Sequence, residues 1–346
     1  MKTNMARRLA ARAAKISAIA VALNLAFRPQ ITRGAAATNF TISNHATGKS
    51  LSLYDYKGSV VVLDFWAYWC EYCQAAASDI EPNITRYYRD AGGNSNGVPV
   101  TVISISIDLS DPALENSYIQ TYGLELVGDD PNWVAYGQFN NSGSIPQFAV
   151  INGATNSVNY GAWQVLSAPL GYEANYTVPL LKSYIDSVRT PAPVSAVTSP
   201  ANGAVVAPPN VPLAATVASN GKIIKKVEFY NGATLLASTT NASCSLIWSN
   251  VPVGVKSVFA RVCYGANLSA DSAAVNFTVA EPVRAELSAQ GASLVLSWTG
   301  GAGNFQVQTT TNLASGVWQN YGAAGPATSL VVAPTNQAMY YRVRWP

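Results

Sequence analysis

The chain has 346 residues, more than one ordinary hydrophobic core accommodates, which predicts two or three domains. Only 11% of the residues are Asp, Glu, Lys or Arg, whereas 49% are hydrophobic, so the chain can bury a substantial core and is not a disordered tail. The formal net charge is only +3, and the sequence has no basic stripe interleaved with aromatic residues. This composition argues against a nucleic-acid-binding protein.

Residues 1–37 have the pattern of an export signal. An apolar run over residues 16–27 is followed by small residues at 35–37 that could form a cleavage site, and the run is preceded by the basic residues Lys2, Arg7, Arg8, Arg12 and Lys15. The run is shorter than the roughly 20 residues of a transmembrane helix. Arg28 and Arg33 are unusual beside a cleavage site, so an uncleaved membrane anchor stays open. We expect an exported protein, periplasmic or extracellular.

Residues 38–190 alternate between strand-like and helix-like patterns. Strands are predicted at the apolar runs 60–66, 98–107 and 148–151, the last closed by an Asn152-Gly153 turn. Helices are predicted after the cysteines at 70 and 73, over 113–122, and over 178–188. This alternation predicts an α/β layered domain.

The composition changes at residues 190–193, a Pro-containing linker, and becomes rich in Ser, Thr, Val, Ala and Gly. Residues 227–230 and 235–238 flank Asn231-Gly232, which predicts a β-hairpin. A second β unit starts near Val283, with 294–298 as its expected first strand and 340–344 as its last. We therefore predict two β-sandwich domains, at 191–282 and 283–346.

Cys70 and Cys73 join the apolar strand to the start of a helix. Two cysteines at this spacing can close a disulfide within one helical turn, and the helix N-terminus favours the thiolate of the first. Cys73, one turn further in, would then resolve a mixed disulfide. Such a pair could also be half of a zinc site, but the sequence offers no second pair at this spacing and no histidine cluster.

The string Asp-Phe-Trp-Ala-Tyr-Trp-Cys-Glu-Tyr-Cys at 64–73 resembles the active-site region of the thioredoxin superfamily, and residues 51–58 are similar to the lead-in of its exported TlpA-like branch. The resemblance covers about residues 40–190 and implies a thioredoxin fold. It also implies that Ile145-Pro146 is a cis peptide bond opposite the cysteines, where it would present backbone to a substrate peptide.

The same resemblance implies roles for two further residues. Asp64, inside the apolar strand, would help to move the proton of the resolving cysteine, with a pKa raised by desolvation. The alternative is a buried Asp bonded to local backbone. Trp69 would form a wall of the active site.

Some residues depart from the family pattern. The negative charge of Glu71 opposes the thiolate of Cys70, which favours a reducing couple. Pro82 comes later than the usual helix proline, so the geometry of that helix is open. Trp66 and Ala67 stand where a peroxiredoxin would have Thr and Pro, so we do not expect peroxidase activity.

Residues 194–280 resemble bacterial Ig-like domains at the segments 198–203, 227–230 and 251–254, and 283–346 resemble a fibronectin-III-type unit. Cys244 and Cys263 lie in neighbouring predicted strands, which suggests a structural disulfide that would stabilise the domain by roughly 3 kcal/mol. We expect these domains to be a spacer or binding module.

The single histidine, His45, lies in a polar stretch and is expected in a surface turn. We expect no metal site and no organic cofactor. The leading hypothesis is a thiol–disulfide oxidoreductase, with protein disulfides or dithiols as substrates and a partner protein as electron donor. The rival hypothesis is a surface binding or adhesion protein whose thioredoxin fold is only a scaffold, which a redox-silent cysteine pair would favour.

Overall fold

The computed structural model describes residues 33–140, 143–240, 244–291, 293–333 and 338–345. The predicted export signal therefore lies outside the described residues, apart from 33–37. No helix in the described ranges is long and apolar enough to span a membrane. The chain divides into two compact units. One contains the described residues up to Pro191 together with Gly221–Ile223, and the other contains Ala192–Asn220 and the residues from Ile224 onward.

The first unit is built on one sheet with helices on both faces. Its strands are β1 (Thr41–Asn44), β2 (Ser50–Ser52), β3 (Val60–Trp66), β4 (Val100–Ser106), β5 (Val127–Asp129), β6 (Gln147–Asn152) and β7 (Gln164–Ser167). Its helices are α1 (Glu71–Ile80), α2 (Tyr87–Ala91), α3 (Pro112–Tyr122), α4 (Tyr136–Phe139) and α5 (Thr177–Ser187), with a short 3₁₀ turn at Leu53–Tyr56. The predicted α/β layers are confirmed.

The strand order in this sheet is β2-β1-β5-β4-β3-β6-β7, with β3 parallel to β4 and antiparallel to β6. Every residue of β3 is buried, because the sheet is covered on both faces. Side chains alternate along a strand, so Leu63 and Phe65 pack in one core cluster while Val60 and Val62 pack in the other, against Ile80 of α1. Asp64, even-numbered like Val62, therefore faces the α1 side.

Pro82 shapes the helix that follows the cysteines. Between α1 and α2 the helical run continues through a π-helical segment, Glu81–Arg86, with Pro82 near its start. Proline has no N–H and cannot donate the usual hydrogen bond to the preceding turn, and a π segment accommodates that loss. The helix is thus locally widened at Pro82 rather than ended.

The second unit consists of β-strands in four sheets. The first two sheets contain β8 (Val194–Ser199), β9 (Val205–Val206), β10 (Val211–Ala218), β11 (Ile224–Asn231), β12 (Thr234–Thr239), β13 (Ser245–Trp248), β14 (Gly254–Tyr264), β15 (Leu268–Asp271) and β16 (Val275–Val279). They form a three-stranded sheet, β13-β10-β8, and a sheet in the order β12-β11-β14-β16-β9 with β15 beside β14. The predicted hairpin is confirmed as β11 and β12.

The remaining two sheets are three-stranded, in the orders β17-β18-β21 and β20-β19-β22. Their strands are β17 (Arg284–Gln290), β18 (Ser293–Thr299), β19 (Gln306–Thr310), β20 (Gln319–Asn320), β21 (Ser329–Val332) and β22 (Tyr340–Arg344), with a 3₁₀ turn at Leu313–Ser315. The prediction that 294–298 is the first strand of this unit is wrong, because β17 precedes it. All residues of this edge strand are exposed, so it lacks the strong apolar pattern of a core strand.

The predicted disulfide between Cys244 and Cys263 is wrong. Cys244 directly precedes β13 and is buried in the core cluster of the Ig-like sheets. Cys263 lies on β14, in the other sheet, between the buried residues Val262 and Tyr264. Because neighbouring side chains in a strand point to opposite faces, Cys263 faces away from the core that contains Cys244. The structure leaves both without a disulfide.

Candidate redox site

Cys70 is the N-cap residue of α1, at the end of the turn that follows β3. Its backbone carbonyl accepts hydrogen bonds from the N–H groups of Cys73 and Gln74, at 3.0 Å each, and these bonds start the helix. Cys70 and Cys73 form a disulfide, with their Cα atoms 5.2 Å apart. The N–H of Cys73 also donates to Cys70 Sγ over 3.1 Å, so a backbone donor of the first helical turn points at this sulfur.

The two cysteines differ in exposure and in surroundings. Cys70 is 7% exposed and Cys73 only 1%, so Cys70 is the sulfur nearer to solvent. Cys70 Sγ lies 3.7 Å from the carbonyl oxygen of Ile145. The Ile145–Pro146 peptide bond is cis, as the resemblance implied. The structure thus brings the segment around Pro146 to the face of Cys70.

Aromatic side chains surround the cysteine pair on the surface. Trp69 is 56% exposed and its indole N–H donates to Asp108 over 2.7 Å. Tyr72, between the cysteines, is 70% exposed. The Tyr68 and Ser110 hydroxyls are hydrogen-bonded at 3.0 Å. Exposed apolar surface beside a reactive group is typical of a site that contacts another macromolecule.

Tyr118 of α3 packs beside the cysteine pair and hydrogen-bonds to it. Its ring stacks on Trp66 with a centroid distance of 4.2 Å, and its hydroxyl donates to the carbonyl oxygen of Cys73 over 2.8 Å. Burial raises the pKa of Tyr118, with further contributions from the charges of Asp64 and Glu81. These two carboxyl groups and the first turn of α1 therefore lie around the same tyrosine.

Asp64 is 3% exposed, and its Oδ1 has no hydrogen-bond partner among the described residues. Burial raises the pKa of Asp64 to about 7, and the charge of Glu81 adds to this shift. An unsatisfied buried carboxyl group is costly, which disfavours the alternative of an Asp held by local backbone bonds. A carboxyl group with a pKa near neutrality can accept and release a proton at physiological pH.

Glu81 is a site residue that the sequence analysis missed. It is 1% exposed, Thr85 donates to its Oε1 over 3.2 Å, and its Oε2 has no partner among the described residues. Burial raises the pKa of Glu81 to about 7. Its position could have revealed it, because Glu81 follows Cys73 by eight residues on the buried stripe that also contains Ala76, Ala77 and Ile80.

His45 lies in the turn after β1, as predicted, and it is half-buried there because it contacts Asp129 and Asn116. The structure thus brings Cys70, Cys73 and the Ile145-Pro146 segment to one place, with Trp69 at its rim. Asp64 is linked to this place through Tyr118, which bonds to Cys73 and feels the charge of Asp64. The structure does not bring Cys244 and Cys263 together. His45 belongs to a separate cluster with Glu115 and Asp129.

Three features define a thioredoxin-fold domain. The central strands of the sheet are parallel, two cysteines form a disulfide at the start of a helix, and a cis-proline segment faces that disulfide. Residues 33–140 match the AhpC/TSA family, and residues 193–304 match the bacterial Ig domain. The similar curated proteins include thiol-disulfide oxidoreductase ResA of Bacillus anthracis, 30% identical over 93 residues, which are 27% of this chain and 48% of that protein. ResA of Bacillus subtilis (strain 168) is 27% identical over 99 residues, 29% of this chain and 50% of that protein.

The chain spans about half the length of these curated relatives. Among solved structures, thiol:disulfide interchange protein DsbE from Chlorobium tepidum is 21% identical with a TM-score of 0.36, over 45% of this chain and 96% of that chain. The fibronectin(III)-like modules of Clostridium thermocellum CbhA are 28% identical with a TM-score of 0.24, over 25% of this chain and 94% of that chain. The AhpC/TSA match and the ResA relatives confirm the resemblance to the thioredoxin superfamily drawn from residues 64–73.

Proposed function

We propose that the protein is an exported thiol–disulfide oxidoreductase that reduces disulfide bonds in other proteins. The observation that carries this proposal is the position of Cys70, which is the N-cap of α1 and receives the N–H of Cys73 on its sulfur. The partial positive charge of a helix N-terminus stabilises a thiolate there, and the thiolate is the reactive form of cysteine.

The reaction takes place in two exchange steps. In the reduced protein the Cys70 thiolate attacks one sulfur of the client disulfide, which forms a mixed disulfide and releases the other client sulfur as a thiolate. The Cys73 thiolate then attacks Cys70 Sγ, closes the intramolecular bond and releases the second client thiolate. Two electrons pass to the client, and its thiolates take up two protons. The 1% exposure of Cys73 suits this second role, since only Cys70 is reached from outside.

Asp64 supplies the base for the second step. Cys73 is buried, so its proton cannot pass directly to bulk water. The Asp64 carboxyl group faces the α1 side of the sheet, and its pKa of about 7 fits a group that takes a proton near neutral pH. The nearby charge of Glu81 contributes to this pKa by repulsion.

The surroundings of Cys70 suit a polypeptide substrate. The carbonyl group of Ile145, 3.7 Å from Cys70 Sγ, could accept a hydrogen bond from an extended client backbone. Trp69 and Tyr72, which flank Cys70 in the sequence, provide exposed aromatic surface. Backbone and apolar contacts of this kind are sequence-tolerant, which suits a reductase of many clients.

The reducing direction rests on Glu71. This residue is the first of α1 and places a negative charge beside Cys70, which disfavours the thiolate of the reduced form. A couple whose reduced form is less stable has a lower reduction potential and acts as a reductant. Electrons then come from a partner protein, and the β-sandwich domains tether or position the catalytic domain outside the cytoplasm.

The activity is tested by dithiothreitol-driven reduction of insulin. We expect the intact chain to be active and the Cys70→Ser variant to be inactive. Cys263→Ser is the matched control, since Cys263 is the other cysteine with some exposure, and it should keep full activity. Retained activity in Cys70→Ser would refute the assignment, and an intact chain without activity would support the rival hypothesis of a binding scaffold.

The direction is tested by the reduction potential of the Cys70–Cys73 pair, obtained by alkylation and mass measurement after equilibration in thiol buffers. We expect a value near about −270 mV, as for a reductase. A value near about −120 mV would make the protein an oxidant instead.

A further inference from the structure

His45, Glu115 and Asp129 form a polar cluster in the first unit that the redox mechanism does not use. Strand β1 pairs with β5, with Ser43 opposite Asp129, and the N–H of His45 donates to the carbonyl oxygen of Val127 over 3.0 Å. The backbone therefore fixes the histidine beside the end of β5. Glu115 reaches the same point from α3. One ligand atom from each of the three side chains lies within 4.8 Å of the others.

The hydrogen bonds around His45 determine which ring nitrogen carries a proton. The side-chain amide of Asn116 donates from Nδ2 to the carbonyl oxygen of Pro112 over 2.7 Å, which turns its Oδ1 toward the ring. That oxygen lies 3.3 Å from His45 Nε2, so Nε2–H is the donor of this bond. In a neutral imidazole the other nitrogen, Nδ1, then holds a lone pair and no proton.

The Nδ1 lone pair faces a carboxylate. His45 Nδ1 is 2.9 Å from Asp129 Oδ1, and both atoms are acceptors when the ring is neutral. Two acceptors at this distance repel each other unless a positive charge lies between them. That charge is either a second ring proton or a metal ion.

Glu115 favours the metal ion. The residue is 2% exposed, and its Oε1 has no hydrogen-bond partner among the described residues. This oxygen lies 4.0 Å from His45 Nδ1, too far for a hydrogen bond to the ring. A single ring proton can bond to only one of the two carboxylates, and it would leave this buried oxygen without a partner. A metal ion can bind both carboxylates and Nδ1 together.

The spacing of the three atoms fits such an ion. Zinc binds His nitrogen at about 2.0–2.1 Å and carboxylate oxygen at about 2.0–2.2 Å, so ligand atoms on a tetrahedron are roughly 3.4 Å apart. The distances from Nδ1 to the two oxygens, 2.9 and 4.0 Å, lie on either side of that value. Asn116 would be the outer hydrogen-bond partner that orients the ring, as is usual for metal-binding histidines.

We propose that His45, Glu115 and Asp129 bind one divalent transition-metal ion of the zinc type, with a fourth position open to water or another ligand. One nitrogen and two carboxylate oxygens suit zinc better than calcium or magnesium, which prefer all-oxygen sites. The proposal departs from the expectation of no metal site. The sequence has no histidine cluster, whereas this site uses one histidine with two acids that are distant in sequence.

The test is zinc binding by the full chain in competition with a chromophoric chelator. The Cys70–Cys73 bond is kept oxidised, and Cys244 and Cys263 are both replaced by Ser so that no thiol competes for the ion. We expect one zinc ion per chain, and an affinity at least tenfold lower in His45→Gln and in Glu115→Gln. Glu173→Gln, which removes the same charge at an exposed position of the same unit, should bind as the parent does.

Two further measurements guard against a folding defect. Asn116 is exposed, so Asn116→Ala should keep the fold and still weaken zinc binding by about tenfold, because the ring loses its outer partner. The unfolding temperature of the parent should rise with added zinc, and that rise should be absent in His45→Gln. No zinc binding by the parent, or equal binding by His45→Gln, would overturn the proposal and leave a doubly protonated His45 between the carboxylates.

Discussion

The two cysteine pairs of this chain lie in very different structural settings. Cys70 and Cys73 are three positions apart and lie within one helical turn, where the backbone alone brings the two sulfurs together. Cys244 directly precedes β13 and Cys263 lies on β14, in a different sheet, and only Cys244 lies in the core of these sheets. A local pair is fixed by helix geometry, whereas a distant pair depends on sheet assignment and on strand parity.

The acids beside the two pairs differ as well. Asp64, on the strand that leads to Cys70, and Glu81, in the helical run that follows Cys73, are buried, and burial raises the pKa of each to about 7. Glu228, near Cys263, bonds to Lys226 and to the Tyr230 hydroxyl, and the bond to Lys226 lowers its pKa. The first unit thus has acids whose pKa lies near neutrality, whereas the acid near Cys263 forms an ion pair that favours its charged form. This contrast supports the assignment of the proposed proton transfer to the first unit.

The largest expected effect is all-or-none and concerns the state of the thiols. Protein purified without reductant and alkylated in denaturant should take up two labels, at Cys244 and Cys263, since the structure closes only the Cys70–Cys73 bond. After reduction, all four cysteines should be labelled. Peptide mass spectrometry locates the labels. If the protein took up no label before reduction, Cys244 and Cys263 would form the disulfide that the structure excludes.

The next largest effect concerns the rate of the redox cycle. We expect Asp64→Asn to slow insulin reduction at pH 7 on the order of a hundredfold, because Cys73 loses the base that takes its proton. The rate of the parent should rise through about pH 7 as Asp64 loses its own proton, and this rise should be missing in the variant.

Glu228→Gln is the matched control for that experiment, since it removes an acid beside the other cysteines. It should leave both the rate and its pH profile unchanged. An Asp64→Asn variant with the parent's pH profile would show that Asp64 is not the proton acceptor.

Local sequence signals were enough to predict the redox pair and its setting. An apolar strand, two cysteines one turn apart and a helical stripe all lie within residues 60–80, so their arrangement depends on nearest-neighbour geometry. The sheet layers of the first unit and the hairpin of β11 and β12 followed from hydrophobic periodicity in the same way.

The features that sequence reasoning missed depend on residues far apart in the chain. His45 meets Asn116 and Asp129 across 71 and 84 positions, which no local pattern reveals. Cys244 and Cys263 were paired because their strands were expected to be neighbours, but sheet membership is a tertiary property. Glu81 is the exception, because its helical spacing from Cys73 is a local signal that could have revealed it.

A smaller effect is expected on stability, with a definite sign. The pKa of Asp64 rises from 3.8, its ordinary value, to about 7 in the folded protein, so the folded state binds more protons between these values. The contribution of this group to stability is therefore fully present below about pH 4 and falls as the pH rises to 7, by on the order of 4 kcal/mol. Asp64→Asn should remove the part of the stability loss that comes from this group. With the Cys70–Cys73 disulfide formed, the variant should therefore be more stable than the parent at pH 8.

Thermal unfolding of the parent and of Asp64→Asn at pH 4 and pH 8 measures the difference in stability between the two proteins. This difference should nearly vanish at pH 4. Glu81 adds a loss of the same sign, so some pH dependence remains in the variant. The control is Asp90→Asn, at a position where the side chain is 69% exposed. This variant should lose as much stability between pH 4 and pH 8 as the parent does. A variant less stable than the parent at pH 8 would mean that Asp64 has a stabilising partner when charged.

The smallest expected effect concerns the bond that anchors the redox turn. Tyr118→Phe removes the hydroxyl that donates to the carbonyl oxygen of Cys73 and should lower the free energy of unfolding by about 1 kcal/mol, because a buried acceptor loses its donor. The ring stack on Trp66 remains, so insulin reduction should stay close to that of the parent. Tyr122→Phe, on the same helix and with no hydrogen bond from its hydroxyl among the described residues, should change neither quantity. Equal stabilities of the two variants would show that the contact with Cys73 does not hold the turn, and that helix geometry alone keeps the two sulfurs together.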